Sequence, residues 1–346
     1  MSQLAMPSSD DQKLWALQLG NVHFPAVVAA DELGVFQALA ASPASAEELS
    51  QRMKLNLRSL RAILPLLASL GLLQQHGGRY RLTGEAHDYL LPTSPFYWGP
   101  VLAASARIPM SSADIVNAMR APPESSRWDL AEGDAPVAQW SSGQLEPAMA
   151  KLIAGYMHAN CLKCALVAAE RVDLKSAGRL LDVGAGSGSF SIAFAQANPH
   201  LRCTLMDLQG MCDAAMQTYV HGNVAANRID ARAVDMFRQD WPSGYDAIFL
   251  SNILHDWDFA TCHMLAKKAF AALPAGGHVL IHEMLLDDTH DGPSLSVGFS
   301  VLMLLGTKGQ QFTGPELTGL LTSTGFVNVQ ITPCHGSYAV VSARKP

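Results

Sequence analysis

Between residues 12 and 40, apolar side chains recur at helical spacing: Leu14, Leu17, Val27, Val28, Leu33, Val35, Phe36 and Leu39. Pro25 lies inside this stretch, and its fixed φ and missing N–H predict a break or kink there. Ser45, with Glu48 three residues on, predicts a capped helix start within residues 42–53. Residues 56–73 carry a second amphipathic pattern, with Gly71 near its end. The period then shortens to two: a Gly77–Gly78 turn is followed by alternating Tyr80 and Leu82, which predicts a small hairpin. Helices followed by a hairpin is the order of a winged helix-turn-helix.

Residues 92–140 show little period and read as short helices and a long connection. A helical pattern returns at Leu145, Met149, Leu152, Ile153, Tyr156, Met157, Leu162 and Leu166 and runs toward Lys175. After residue 178 apolar runs alternate with helical stretches: RLLDV, then SFSIAFAQA; LRCTLMDL, then MCDAAMQTYVHGN; IDARAVDMF; YDAIFLSNIL, then ATCHMLAKKAFAAL; HVLIHEMLL; ELTGLLTSTGF; and a terminal hairpin. Strands spaced by helices imply a parallel, doubly wound α/β sheet with an antiparallel edge. The expected organisation is a winged-helix-like domain over residues 1–95, a helical linker contributing to a substrate pocket over 96–160, and a Rossmann-like catalytic domain over 161–346.

Composition narrows the function. Apolar residues are 49% and charged residues 16% of 346, enough for a large core with apolar surface left for self-association. A net charge of −6 argues against broad attraction to nucleic acid or anionic membrane. The winged-helix pattern invites a DNA-binding reading. However, residues 45–90 carry only a small excess of Arg and Lys over Asp and Glu, and the 56–70 helix is apolar apart from Arg58 and Arg61. Burial against a partner subunit suits such a helix better. No apolar run reaches the ~20 residues that span a bilayer. The opening MSQLAMPSSDDQK has no signal-peptide pattern. Six scattered cysteines then fit reduced thiols, and a cytoplasmic protein is expected.

The strand RLLDV runs into Gly184-Ala-Gly186-Ser-Gly188 and then a helix. Such a turn brings backbone N–H groups to a ligand, and the helix start favours negative charge. Asp207, followed by Leu208, ends the next strand, where nucleotide folds meet ribose hydroxyls. Asp235, followed by Met236 and Phe237, ends the third. Nicotinamide enzymes use G-x-G-x-x-G, one residue longer. A nicotinamide oxidoreductase and a metabolite-sensing winged-helix regulator remain as rival readings. His158, Cys161 and Cys164 share one helix at spacings of three, but no second cysteine pair follows, so no metal is expected.

DVGAGSG, MDL, VDMF, LSNILHDW, PAGGHVLIHE and TKGQQFT together resemble the S-adenosylmethionine-dependent small-molecule O-methyltransferases. These are the caffeic acid and hydroxyindole O-methyltransferases and their bacterial natural-product relatives. The resemblance covers nearly the whole chain and implies a homodimer through the N-terminal domain. It implies that the glycine turn meets the amino-acid end of the donor, that Asp207 takes the ribose, and that Asp235 and Met236 flank the adenine. The donor would leave as S-adenosylhomocysteine. The resemblance makes His255 the general base toward a hydroxyl of an aromatic acceptor, with Glu283 orienting its ring. Gln311 stands where the family carries a second acid, and Ser251 stands where plant members carry lysine near the cofactor. Those departures keep methylation of an aromatic carbon or nitrogen as the runner-up. Asp256 reads as a turn-former or helix cap and Trp257 as packing near the adenine. Met157, His158, Phe299, Met303 and Gly306 are the expected pocket walls.

Overall fold

The computed structural model describes residues 6–107, 110–121 and 145–346. The chain divides into two compact units, residues 1–109 and 110–346.

In the first unit, the break expected at Pro25 falls earlier, between the helices Gln12–Gly20 and His23–Glu32. Pro25 sits in the first turn of the second helix, where a missing N–H costs no intrahelical bond. The helix Ala46–Met53 starts with the expected capping box: Glu48 N–H donates to Ser45 Oγ (3.3 Å), and Ser45 N–H donates to Glu48 Oε2 (2.8 Å). The helix Leu57–Ser69 follows, and strands β1 (Leu73–His76) and β2 (Arg79–Leu82) pair antiparallel across the Gly77–Gly78 turn. Ala44 pairs with Tyr80, joining the segment before the capped helix to the hairpin. Phe36, Leu49, Leu64 and Leu67 are fully buried at the centre of this unit. The helix Gln12–Gly20 buries none of its residues, and Leu14, Trp15, Leu17 and Leu19 stand exposed.

The second unit is built on a seven-stranded sheet of order β5-β4-β3-β6-β7-β9-β8. The strands are β3 (Arg179–Val183), β4 (Arg202–Asp207), β5 (Ile229–Ala233), β6 (Ala247–Ser251), β7 (His278–Met284), β8 (Val327–Pro333) and β9 (Tyr338–Arg344). Only β9 runs against the others. The central strands are apolar on both faces because helices cover both. Leu180, Leu181, Leu205, Ile248 and Phe249 are fully buried, while the edge strand β8 is largely exposed.

The strands end earlier than their apolar patterns. β5 stops at Ala233, before the VDMF acid, and β6 stops at Ser251, before His255. The polar ends thus become turns at one edge of the sheet, where doubly wound folds bind ligands.

The helix Pro147–Arg171 is continuous through the boundary expected at 160/161. Contrary to expectation, it includes an 18-residue stretch of mean hydropathy 1.3, long and apolar enough to span a bilayer. Its Ala150, Ala154, Ala165 and Ala168 are fully buried within the apolar clusters of this unit.

Candidate active site and donor cavity

The glycine turn leaves β3 with Gly184 at φ +66° and Gly186 at φ +57°. A Cβ on Gly184 would lie 2.3 Å from Ile253 Cδ1, and one on Gly186 would lie 2.6 Å from Met157 Sδ. The left-handed conformation favours glycine there, and any Cβ would also have to push the ends of the Ile253 and Met157 side chains aside. Gly188 is the N-cap of the helix Ser189–Ala197. Asp207, at the end of β4, clamps the turn. Gly186 N–H donates to its Oδ2 (2.9 Å), and Leu208 N–H donates to its Oδ1 (2.7 Å). Burial pushes this carboxyl up to about 6, against the lowering effect of those two bonds.

A cavity of about 270 Å³ opens beside the clamp. Gly184, Asp207, Leu208, Asp235, Met236 and Phe237 line it, six of the nine positions expected to hold cofactor. Trp257, expected to pack near the adenine, lines it too, and so do Val234, Arg238, Ile253 and Asp256, which were not assigned to it from the sequence. Asp235 Oδ1 accepts from Phe237 N–H (2.9 Å) and Arg238 N–H (3.2 Å), which folds the loop after β5 around the cavity. Trp257 meets Phe237 edge-on at 4.6 Å. Ser251 points elsewhere: its Oγ lies 2.9 Å from His282 Nδ1. A buried acid, an aromatic wall and an apolar floor together suit a nucleoside-bearing donor.

At the next strand end, β6 stops and Asn252 takes a left-handed conformation (φ +53°), its N–H bonded to the His282 carbonyl at 3.0 Å. The next three backbone N–H groups converge on one oxygen of Glu283. Ile253, Leu254 and His255 donate to Oε1 at 3.2, 3.0 and 3.4 Å. The other oxygen, Oε2, lies 2.8 Å from His255 Nδ1. One carboxylate from β7 therefore shapes the turn and orients the ring it presents. With Nδ1 protonated toward Glu283, the basic lone pair of His255 falls on Nε2.

Gln311 is fully buried, with its side-chain amide 3.2 Å from the same Nδ1. A protonated Nδ1 calls for the amide oxygen to face it, as the assignment of amide orientation from the network requires. Phe299, on the helix Ser294–Gly306, stands edge-on to His255 at 5.3 Å. Burial disfavours the imidazolium, but Glu283 and Asp256 outweigh it and raise His255 to about 9.

Of the two roles expected of Asp256, turn-former and helix cap, it takes the first: it ends the single turn Leu254–Asp256. Asp258 caps the helix Phe259–Ala272 by accepting from Thr261 N–H (2.8 Å). Asp256 Oδ1 instead lies 3.6 Å from His255 Nε2.

Met157 and His158 gather at the glycine turn rather than beside Phe299. His158 Nδ1 lies 2.9 Å from Ser189 Oγ, and its ring stacks on Tyr219 at 4.0 Å. Met303 and Gly306 are half-buried on the Phe299 helix. Two further residues escaped the sequence reading. His282 is fully buried and stacked on Tyr338. Gly309 passes so close that a Cβ would fall 2.0 Å from the His255 carbonyl oxygen. The glycine in TKGQQF was the available signal for the second. Among the described residues, no group of three His, Cys, Asp or Glu side chains is arranged to hold a metal ion.

A doubly wound sheet with this strand order and a clamped glycine turn beside a nucleoside-sized cavity is the frame of a methyltransferase. Residues 114–327 match the O-methyltransferase domain, and residues 15–91 match the O-methyltransferase dimerisation domain, so the chain belongs to the O-methyltransferase family. It is 36% identical over 311 residues to the 3-hydroxy-5-methyl-1-naphthoate 3-O-methyltransferase of Streptomyces sahachiroi, covering 88% of this chain and 86% of that one. It is 29% identical to acetylserotonin O-methyltransferase of Bos taurus, covering 92% of each chain. The solved human N-acetylserotonin methyltransferase in complex with S-adenosylmethionine superposes with a TM-score of 0.84 at 25% identity, covering 98% of this chain and 99% of that one.

Proposed function

We propose that the protein transfers a methyl group from S-adenosylmethionine to a hydroxyl of an aromatic small molecule in secondary metabolism. The observation that carries this is the His255–Glu283 pair at 2.8 Å, with the aromatic edge of Phe299 beside the ring and the donor cavity next to it. The donor supplies an electrophilic methyl on a positively charged sulfur. Gly184, Asp207, Asp235, Met236, Phe237 and Trp257 would hold it, Asp207 offering its carboxylate to ribose hydroxyls. His255 Nε2 accepts the hydroxyl proton as the oxygen attacks. Glu283 keeps Nδ1 protonated and stabilises the imidazolium that forms. Phe299 and Met303 supply a flat apolar wall for the acceptor ring. The naphthoate enzyme named above, a hydroxyl-directed enzyme of an aromatic acid, supports oxygen as the target.

The protein acts as a homodimer through its N-terminal unit. The dimerisation-domain match and the uncovered Leu14, Trp15, Leu17 and Leu19 support this. The decisive experiment feeds methyl-labelled donor and a panel of phenols and hydroxynaphthoates, and maps the label by mass spectrometry and NMR. Label on oxygen is expected, and label on carbon or nitrogen overturns the reading. His255→Ala is expected to bind S-adenosylhomocysteine as the wild type does and to lose transfer by about 10²- to 10⁴-fold.

A further inference from the structure

Asp256 occupies a position that the reaction as described does not use. Its carboxylate oxygen is 3.6 Å from His255 Nε2, the nitrogen that must accept the acceptor's proton. The same side chain lines the donor cavity and is 30% exposed, while His255 beside it is 5% exposed. Asp256 is therefore the residue shared by the two halves of the site. Its backbone carbonyl accepts from Lys308 N–H (3.1 Å), which pins it to the segment leading to Gln311.

The charges around His255 come from every side. Glu283 on β7 holds Nδ1 at 2.8 Å, and Asp256 faces Nε2. Gln311 is neutral, and Phe299 presents a ring edge. His282, on β7, is kept neutral by burial. Cys262, on the helix Phe259–Ala272, gives its Sγ–H to the Leu254 carbonyl at 3.2 Å. Lys308 adds a positive charge to the segment on Asp256. Two carboxylates on opposite nitrogens of one buried ring favour an imidazolium, which cannot act as a base.

Resting on the donor and base assigned above, we propose that Asp256 couples the charge in the donor cavity to the protonation of His255. A sulfonium donor thereby drives a proton from the ring into solvent, whereas the thioether product does not. The two ligands differ by one methyl group and the positive charge it leaves at sulfur. With the sulfonium bound, Asp256 has a second cation to neutralise, and the imidazolium loses part of its counter-charge. The proton leaves His255 Nε2 for the buffer; no bond in the donor breaks at this stage. The base is then neutral when an acceptor arrives, and it takes up a proton again as the donor becomes neutral.

The test is calorimetric titration of the full-length protein at pH 8 in two buffers of different ionisation enthalpy, which counts protons released per ligand. At that pH Asp256, raised by burial to about 6, is ionised, and His255, at about 9, is protonated. S-adenosylmethionine is expected to release most of one proton more than S-adenosylhomocysteine does, approaching about 0.9. Asp256→Asn is expected to cut that difference by more than half, and His255→Asn to abolish it. Equal proton release for the two ligands in the wild type overturns the coupling, as does a difference that Asp256→Asn leaves intact. Should Asp256→Asn not fold, Asp256→Ser takes its place in the same titration, and a proton difference that survives it overturns the coupling. If neither ligand binds, the donor assignment itself fails. If both bind, methyl transfer proceeds and the proton counts match, only the coupling fails.

Discussion

The two turns that build the site use one device with different materials. After β3, the backbone N–H of Gly186 is caught by Asp207 from the neighbouring strand β4. After β6, the N–H groups of Ile253, Leu254 and His255 are caught by Glu283 from the neighbouring strand β7. In each case a carboxylate on an adjacent strand end replaces water as the partner of orphaned donors. The first turn needs three glycines with positive φ, while the second places a single Asn at φ +53°. The first carboxylate faces a cavity and the second faces a ring. On the function proposed above, the clamp facing the cavity governs donor affinity and the clamp facing His255 governs rate.

The sharpest way to break that contrast is Glu283→Gln. Three N–H donors will hold the amide oxygen at the Oε1 position, which turns the NH₂ group toward His255 Nδ1. Nδ1 then becomes an acceptor, the ring proton moves to Nε2, and the base is blocked. A fall in kcat of about 10³-fold is expected with donor affinity nearly unchanged. Retention of kcat would show that the tautomer is set elsewhere.

Gly309→Ala attacks the same turn from outside. Its Cβ would meet the His255 carbonyl at 2.0 Å and the Trp257 nitrogen at 2.5 Å, so the backbone carrying the base must move. A displacement near 1 Å predicts a loss of about 10²-fold in kcat, measured with a far-ultraviolet spectrum that stays folded.

Asp207→Asn tests the other clamp. An amide cannot accept from both Gly186 and Leu208 as the carboxylate does. The dissociation constant for S-adenosylhomocysteine should rise about tenfold, while kcat at saturating donor moves far less. A fall in kcat alone would erase the distinction between the two turns.

The smallest effect concerns stability. Burial lowers His282 to about 3 and His158 to about 4, so the folded chain refuses protons that the unfolded chain accepts below about 6.5. Their contribution is complete above that value and is lost as pH falls toward 4 and then 3. His255, raised to about 9, runs the opposite way: its contribution is complete below about 6.5 and is lost as pH rises through 9. His282→Phe should therefore flatten the decline of Tm on the acid side, and an unchanged slope would refute it.

Much of this was legible in the chain. Helical spacing and the Ser45/Glu48 pair located the N-terminal helices, because capping and amphipathic burial act within a few residues. The alternation of apolar runs and helical stretches located the sheet. Gly184, Gly186 and Gly188 announced a turn that only glycine can make. Other residues misled. Pro25 is harmless in a first helical turn, although its effect was expected in mid-helix. His158 lies on the same helix as Met157, but Tyr219 and Ser189, from other elements, decide where it turns.

The sequence by itself determined most of the elements, the class of the sheet and the identity of its chemical groups, since these follow from local period, backbone freedom and side-chain type. Only the tertiary structure decided which groups meet. Three amides converge on Glu283, Asp256 stands between a base and a cavity, and Gly309 lies against His255 because strands and loops 28 to 56 residues apart fold onto one edge. Their electrostatics depend on distance through a buried medium, and no spacing along the chain records that distance.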